Sequence, residues 1–355
     1  MIEDRPRPMC FCISEADWLL RVFRAAWCIR FHHPCASYFL EKAKMAGTFF
    51  IMIACFTWAL DTLIRYPLLG AGYSTLQIVL IEHLTLILFV APMLWRYRHV
   101  YRHLSRISLC CLFFIGGIGS AVGTLAFTEA FQYLNPTVVI LLQKLQPIVA
   151  ILLAYWFLKE QIEGGFVRWA GVILLGSFVM MWPDLRQLGD AQWHYSNDQM
   201  SILKGYGFTL VAVCAWGAAT VCGKYLSKQN VPANAIMSGR FVAGLMVLAP
   251  LAFMQADSLV AMQITDIGLV IVMALLSGFI GMWFYYQGLK TVPAQMATLA
   301  ELSFPVFAAV INWYFLEMGL TFYQIIGGLM LILGNIGLRI KELRKAELNT
   351  WSQSA

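Results

Sequence analysis

Seven ionisable residues stand where the surrounding sequence is apolar: Asp61, Glu82, His83, Glu129, Lys144, Arg240 and Glu301. A charge in a hydrocarbon core costs at least roughly 2.5 to 3.5 kcal/mol on insertion scales, so each needs a partner, a watery cavity or a task. Lys144 and Glu301 lie deepest. Each falls about seven or eight residues into its apolar run, which is about 12 Å at the 1.5 Å helical rise and close to a bilayer midplane. Lys144 could take a carboxylate or phosphate, and Glu301 an amino group or a coupling proton, with the amide of Gln143 beside them. The competing reading is a direct Lys144–Glu301 ion pair that locks the bundle and touches no solute.

The remaining charges and rings form weaker candidates. Glu82 and Arg240 could pair with each other, act as a gate, or hold the structure together while Arg240 snorkels to an interface. Trp58 and Trp216 could wall a cavity for an apolar or cationic solute, with Asp61 one turn beyond Trp58, or could simply pack. Tyr286, beside Trp283, Tyr285 and Gln287, could add hydrogen-bonding groups. Glu129 suits either proton coupling or the outer interface. No catalytic set and no metal set emerges: His83 is the one histidine inside an apolar run, and neither HExxH nor GxSxG occurs. The nine cysteines have no metal-site spacing and give no disulfide framework. A GxxxxGK[ST] loop is also missing, so no nucleotide or other cofactor is expected.

What positions these residues is a membrane. At 60% hydrophobic and only 12% charged, the chain lies outside the range of soluble domains. A span needs roughly 20 apolar residues, so 355 residues accommodate about ten with short loops. Apolar runs between charged or turn-rich segments predict spans at 47–66, 75–95, 107–131, 136–158 and 165–182, then at 203–226, 232–254, 267–289, 294–316 and 321–339. The first run that could span begins near Gly47, so no cleavable signal peptide is expected. Residues 1–46 read as an N-terminal cytoplasmic extension in which Trp18 to Ile29 could lie on the membrane surface as an interfacial helix. Residues 183–202 read as an external linker and 341–355 as a cytoplasmic tail.

The two sets of five are copies. Gly47 falls on Gly205, and the same offset of 158 residues carries Trp58 onto Trp216, Ala91-Pro92 onto Ala249-Pro250, Gly123 onto Gly281 and Pro147 onto Pro305. Because five spans is an odd number, the second copy enters the membrane from the opposite side. Loop charges agree. Arg96, Arg98, Arg102 and Arg106 follow the second span, whereas the matching loop after the seventh holds Asp257 and Asp266 without Lys or Arg. Lys224, Lys228, Lys290, Lys341, Arg344 and Lys345 place both termini in the cytoplasm; Arg65, Arg186 and Lys204 dissent. The expected architecture is therefore all-α and transmembrane, with ten helices as two inverted five-helix repeats at 47–182 and 203–340.

The segments Ala126-Phe127-Thr128-Glu129-Ala130, Asn135-Pro136, Leu145-Gln146-Pro147 and Phe157-Leu158-Lys159-Glu160 form a signature across the third and fourth spans. Its second copy runs from Tyr286-Gln287-Gly288-Leu289 through Ser303-Phe304-Pro305 to Leu316-Glu317. In these the sequence resembles the EamA-type branch of the drug/metabolite transporter superfamily, over about residues 47–340. It departs from that pattern at Gln143, Lys144 and Glu301, and at Lys159-Glu160 and Glu317-Met318, where the family usually reads Gly-Glu.

The resemblance implies a carrier working by alternating access in a bacterial inner membrane, as a monomer or homodimer, with lipid and a small-molecule solute as partners and no nucleic acid. Mixed charge at the midplane favours an amino-acid-like metabolite, export slightly ahead of import. The alternative is a nucleotide-like metabolite such as S-adenosylmethionine. A channel or a membrane-embedded enzyme is the rival of a different class.

Overall fold

The computed structural model describes residues 34–159, 162, 165–189, 197–255, 261–289, 292, 297 and 299–337, the side chains of 34–44, 187–189, 197–199, 286 and 289 excepted. The surface-helix expectation at Trp18 to Ile29 lies outside these residues. Among the described residues there is no strand. In chain order the helices are α1 Pro34–Gly70, α2 Thr75–Arg102, α3 Arg106–Ala130, α4 Pro136–Leu158, α5 Phe166–Gly189, α6 Asn197–Lys228 and α7 Ala233–Met254. Then come α8, whose segments are Ile264–Met273, Ala274–Gly281 and Met282–Leu289, α9 Ser303–Phe315, and α10 Phe322–Gly337.

Eight of these helices are long and apolar enough to cross a membrane, while α9 and α10 are shorter apolar helices. Their outer faces are apolar to a degree that water would not tolerate: Phe253 is 86% exposed, Leu88 74% and Phe157 73%. Helices satisfy their own backbone hydrogen bonds, so lipid can cover such a surface at no polar cost.

Turns are set by local chemistry. Ser74 and Gln77 form a capping box that starts α2. Asn135 caps α4 by accepting from the Thr137 amide, with Pro136 in the first turn. Gly72 and Asn230 take left-handed backbone at φ 90° and 58°, and Lys159 and Glu317 do so at φ 56° each. Both pairs are separated by the repeat offset, so the copies share their unusual backbone as well as their sequence.

The copies also touch reciprocally. A Cβ placed on Gly123 would meet the Trp216 indole nitrogen at 2.7 Å, and one on Gly281 would meet that of Trp58 at 2.9 Å. Gly176 abuts Gly327 and Leu331, while Gly334 abuts Trp169 and Ile173. In each case one residue meets the repeat mate of the other's partner, the pattern that a two-fold axis between the halves produces. α2 packs on its mate α7, and α4 on α9.

Helix boundaries depart from expectation on either side of the middle of the chain. α5 continues through Pro183 to Gly189 and α6 begins at Asn197, so part of the expected linker is helical. The polar residues there are used in packing: Tyr206 on α6 donates to the Asp184 carboxylate on α5. α1 likewise starts at Pro34, well ahead of the first expected span.

Candidate functional site

The fourth helix is broken where its charge sits. Pro147 lacks an amide hydrogen and its ring crowds the carbonyl four residues earlier, at Gln143. The chain responds with a 3₁₀ stretch at Gln143–Leu145 between two α-helical segments. At the repeat-related place Glu301 and Leu302 form a turn ahead of α9, four residues before Pro305. The fourth helix thus loses regular α structure at Gln143–Leu145, and a turn stands at the matching position of the second copy. In spanning helices that is tolerated only where protein or a watery cavity covers it.

The two breaks meet. Lys144 Nζ donates to the main-chain carbonyl of Glu301 at 3.5 Å, while the Glu301 carboxylate accepts from Tyr285 at 2.6 Å. Among the described residues no ion pair within 4.0 Å joins the carboxylate and the ammonium, and the Tyr285 hydroxyl donates to Glu301. Asn335 of α10 supports the break by donating to the Lys144 carbonyl at 3.1 Å. The ammonium also lies 5.5 Å from the centre of the Phe304 ring.

Lys144, Glu301 and Phe304 line a cavity of about 320 Å³ that Trp58, Asp61, Glu82, Gln143, Trp216 and Arg240 also reach. Trp58 donates to the Ser277 carbonyl at 3.1 Å and packs on Tyr285 and Phe304. Trp216 packs on Phe127, 5.1 Å between ring centres. Both α3 and α8 are wound as π-helix where they pass the cavity, at Phe114–Val122 and Ala274–Gly281, and such bulges favour functional sites.

One sequence reading is corrected. Arg65 is no loop charge but is 3% exposed, donating to Asp61 at 2.6 Å, to Glu82 at 2.9 Å and to Thr128 at 2.9 Å. Asp61 in turn accepts from Ser277 of the second half at 2.9 Å. Glu82 is paired with Arg65, and Arg240 approaches Ser120 at 3.4 Å. The signal for Arg65 stood in the sequence as the Asp61–Arg65 spacing, which puts both on one helix face. Nothing in the pattern singled out Ser120, which resembles any other hydroxyl in an apolar run, and Phe127 and Phe304 stood only as members of the signature segments, with no sign that their rings face a cavity.

Glu129 lies apart from the cavity lining. It accepts from Thr75 at 2.5 Å and Gln132 at 2.9 Å near the end of α3. Burial and this carboxylate hold the neighbouring Tyr133 phenol above its ordinary pKa. At the same end Tyr73 donates to Asp266 at 2.6 Å, joining the halves, and that bond raises the Tyr73 phenol in the same way. The side chain of Tyr286 lies outside the described residues. Among the described residues no group of His, Cys, Asp and Glu could hold a metal ion.

Comparison with known proteins gives three findings. The profile of the EamA-like transporter family matches residues 45–182 and again 203–340. A protein of Fusobacterium nucleatum subsp. nucleatum, the riboflavin transporter ImpX, is 27% identical over 298 residues, covering 82% of this chain and 96% of that protein. One solved crystal structure is similar in fold at a TM-score of 0.52 and 17% identity, over 86% of this chain and 99% of the other.

Proposed function

This chain belongs to the EamA-like transporter family, is a multi-pass membrane transporter of a small metabolite, and we propose that its solute is a flat, net-neutral heteroaromatic compound, riboflavin or a close analogue. The observation that carries this reading is the cavity itself. About 320 Å³ lies within the roughly 300 to 1,000 Å³ of small-molecule sites. Its lining sets Trp58, Trp216, Phe127 and Phe304 around a balanced charge set, Asp61, Glu82 and Glu301 against Arg65, Lys144 and Arg240. Aromatic walls suit a flat ring. Balanced charges give no reason to prefer an anion or a cation, while the Gln143 amide and Lys144 can meet the polar edge of such a ring. The name of the Fusobacterium relative adds independent support.

Transport would proceed by alternating access, ten spans rocking as two inverted halves with both termini cytoplasmic, in a bacterial inner membrane. The breaks at Lys144 and Glu301 supply joints at the cavity. Direction follows from the solute gradient and any coupled proton, so both import and export are available to one structure. A second reading, the amino-acid-like zwitterion, is favoured by one feature: Lys144 and Glu301 present opposite charges to the same cavity. Equilibrium binding to the purified protein separates the two. Quenching of flavin fluorescence that saturates, and that an excess of mixed amino acids does not reverse, supports the flat-ring reading. Saturable amino-acid binding without flavin binding overturns it.

A further inference from the structure

We infer that the cavity reads its solute at two facing walls, and that Glu82 and Arg240 on the α2/α7 wall form a subsite for a hydroxylated chain. This rests on the flat-ring reading above and adds to it which part of the solute each wall recognises.

One wall is the pair of broken helices, with Lys144, Gln143 and Glu301, and the rings of Phe304 and Trp58 beside it. The other is the packed pair α2 and α7, helped by α3, where Phe241 and Phe127 also reach the cavity and the Phe241 ring lies 5.4 Å from the Arg240 guanidinium. It presents Glu82, His83, Ser120 and Arg240, all of which reach the cavity. Glu82 and Arg240 are repeat mates, so the two-fold relation puts them on either side of the axis on a single wall. Where Trp58 and Trp216 repeat one residue type, this pair differs in kind: a carboxylate that only accepts hydrogen bonds and a guanidinium that only donates them. A hydroxyl needs both services, an acceptor for its hydrogen and a donor to its oxygen. A row of hydroxyls running along the axis between the two would find them alternately.

The wall is also built to hold its geometry. His83 Nδ1 lies 2.9 Å from the Val79 carbonyl and therefore carries the hydrogen on that side. In the neutral ring Nε2 is then an acceptor, so the Ser120 hydroxyl 3.1 Å away donates to it. The Ser120 oxygen keeps lone pairs for Arg240 Nη2 at 3.4 Å. Glu82 is steadied by Arg65 at 2.9 Å. His83 and Ser120, each 2% exposed, are thus positioning residues for Arg240, and the residues meeting the solute are Arg240 and Glu82.

The test compares two flavins on the intact protein: riboflavin, and lumichrome, which has a tricyclic ring but no hydroxylated chain. Binding is followed by fluorescence. The wild-type protein should hold riboflavin more tightly than lumichrome. Arg240→Met should raise the riboflavin Kd about tenfold or more, the loss expected for a hydrogen bond to a charged group, and leave lumichrome within about twofold. Ser120→Ala should shift riboflavin in the same direction by less, about threefold, and decides the matter should Arg240→Met fail to fold. Equal losses for the two flavins, or an unchanged riboflavin Kd, would overturn the subsite while leaving the flat-ring reading intact. A wild-type protein that binds neither flavin removes both.

Discussion

The guanidinium of Arg65 on α1 lies 2.9 Å from the carboxylate of Glu82 on α2, and Gly223, the residue at the repeat-related position to Arg65, faces open space. One half therefore carries a buried ionic knot where the other carries a glycine. Breaking a buried pair by removing one partner typically costs about 3 to 5 kcal/mol, because the survivor stays buried without its counter-charge. Arg65→Met should accordingly lower the thermal midpoint of the detergent-solubilised protein by several degrees, and Arg65→Met combined with Glu82→Gln should recover part of the loss. A single variant as stable as wild type would contradict the pairing.

Truncating Lys144 should affect solute more than fold. Its ammonium meets a carbonyl and a ring, not a carboxylate, so Lys144→Met leaves no buried ion-pair partner exposed. A fall of about tenfold or more in kcat/KM with a nearly unchanged thermal midpoint is expected, in line with the loss of one charged hydrogen bond. Glu301→Gln can still accept from Tyr285 and should retain more activity than Glu301→Ala. The reverse order of activities would sink this assignment.

The glycines behind the two tryptophans offer a test of the two-fold relation. A Cβ on Gly123 crowds Trp216, and one on Gly281 crowds Thr57 at 2.5 Å as well as Trp58. Gly123→Ala and Gly281→Ala should each push an indole toward the cavity and raise KM by similar factors. If only one of them changes KM, the tryptophans do not share a role.

Pro147 and Pro305 keep their helices from closing over the carbonyls of Gln143 and Glu301. Alanine at either place restores an amide donor. Pro305→Ala then competes with Lys144 for the Glu301 carbonyl. Slower transport with little change in binding affinity is expected, read by comparing stopped-flow flux with equilibrium binding on one preparation.

Much of this was legible in the sequence because membrane physics leaves strong marks. Apolar runs and an ungapped repeat are one-dimensional signals, and Lys144 and Glu301 stood out as charges inside such runs. The pairing of Glu82 with Arg65 was not legible. Glu82 and Arg240 share an offset, but an offset says nothing of contact; Arg65 reaches Glu82 across the α1–α2 hairpin. Arg65 itself looked like a loop charge because it lies near a span's end, where a long side chain can point outward or, as it does, inward. The hydroxyl of Ser120 and the ring of Phe304 gain meaning only from neighbours distant in sequence.

Counterflow in proteoliposomes tests the central claim most directly. Vesicles preloaded with unlabelled riboflavin should accumulate external labelled riboflavin transiently and saturably, and the accumulation should fall by about an order of magnitude or more in a Trp58→Ala, Lys144→Met double variant, two cavity contacts being lost. Labelled riboflavin that enters no faster in preloaded than in empty vesicles, or accumulation that the double variant leaves untouched, would contradict it.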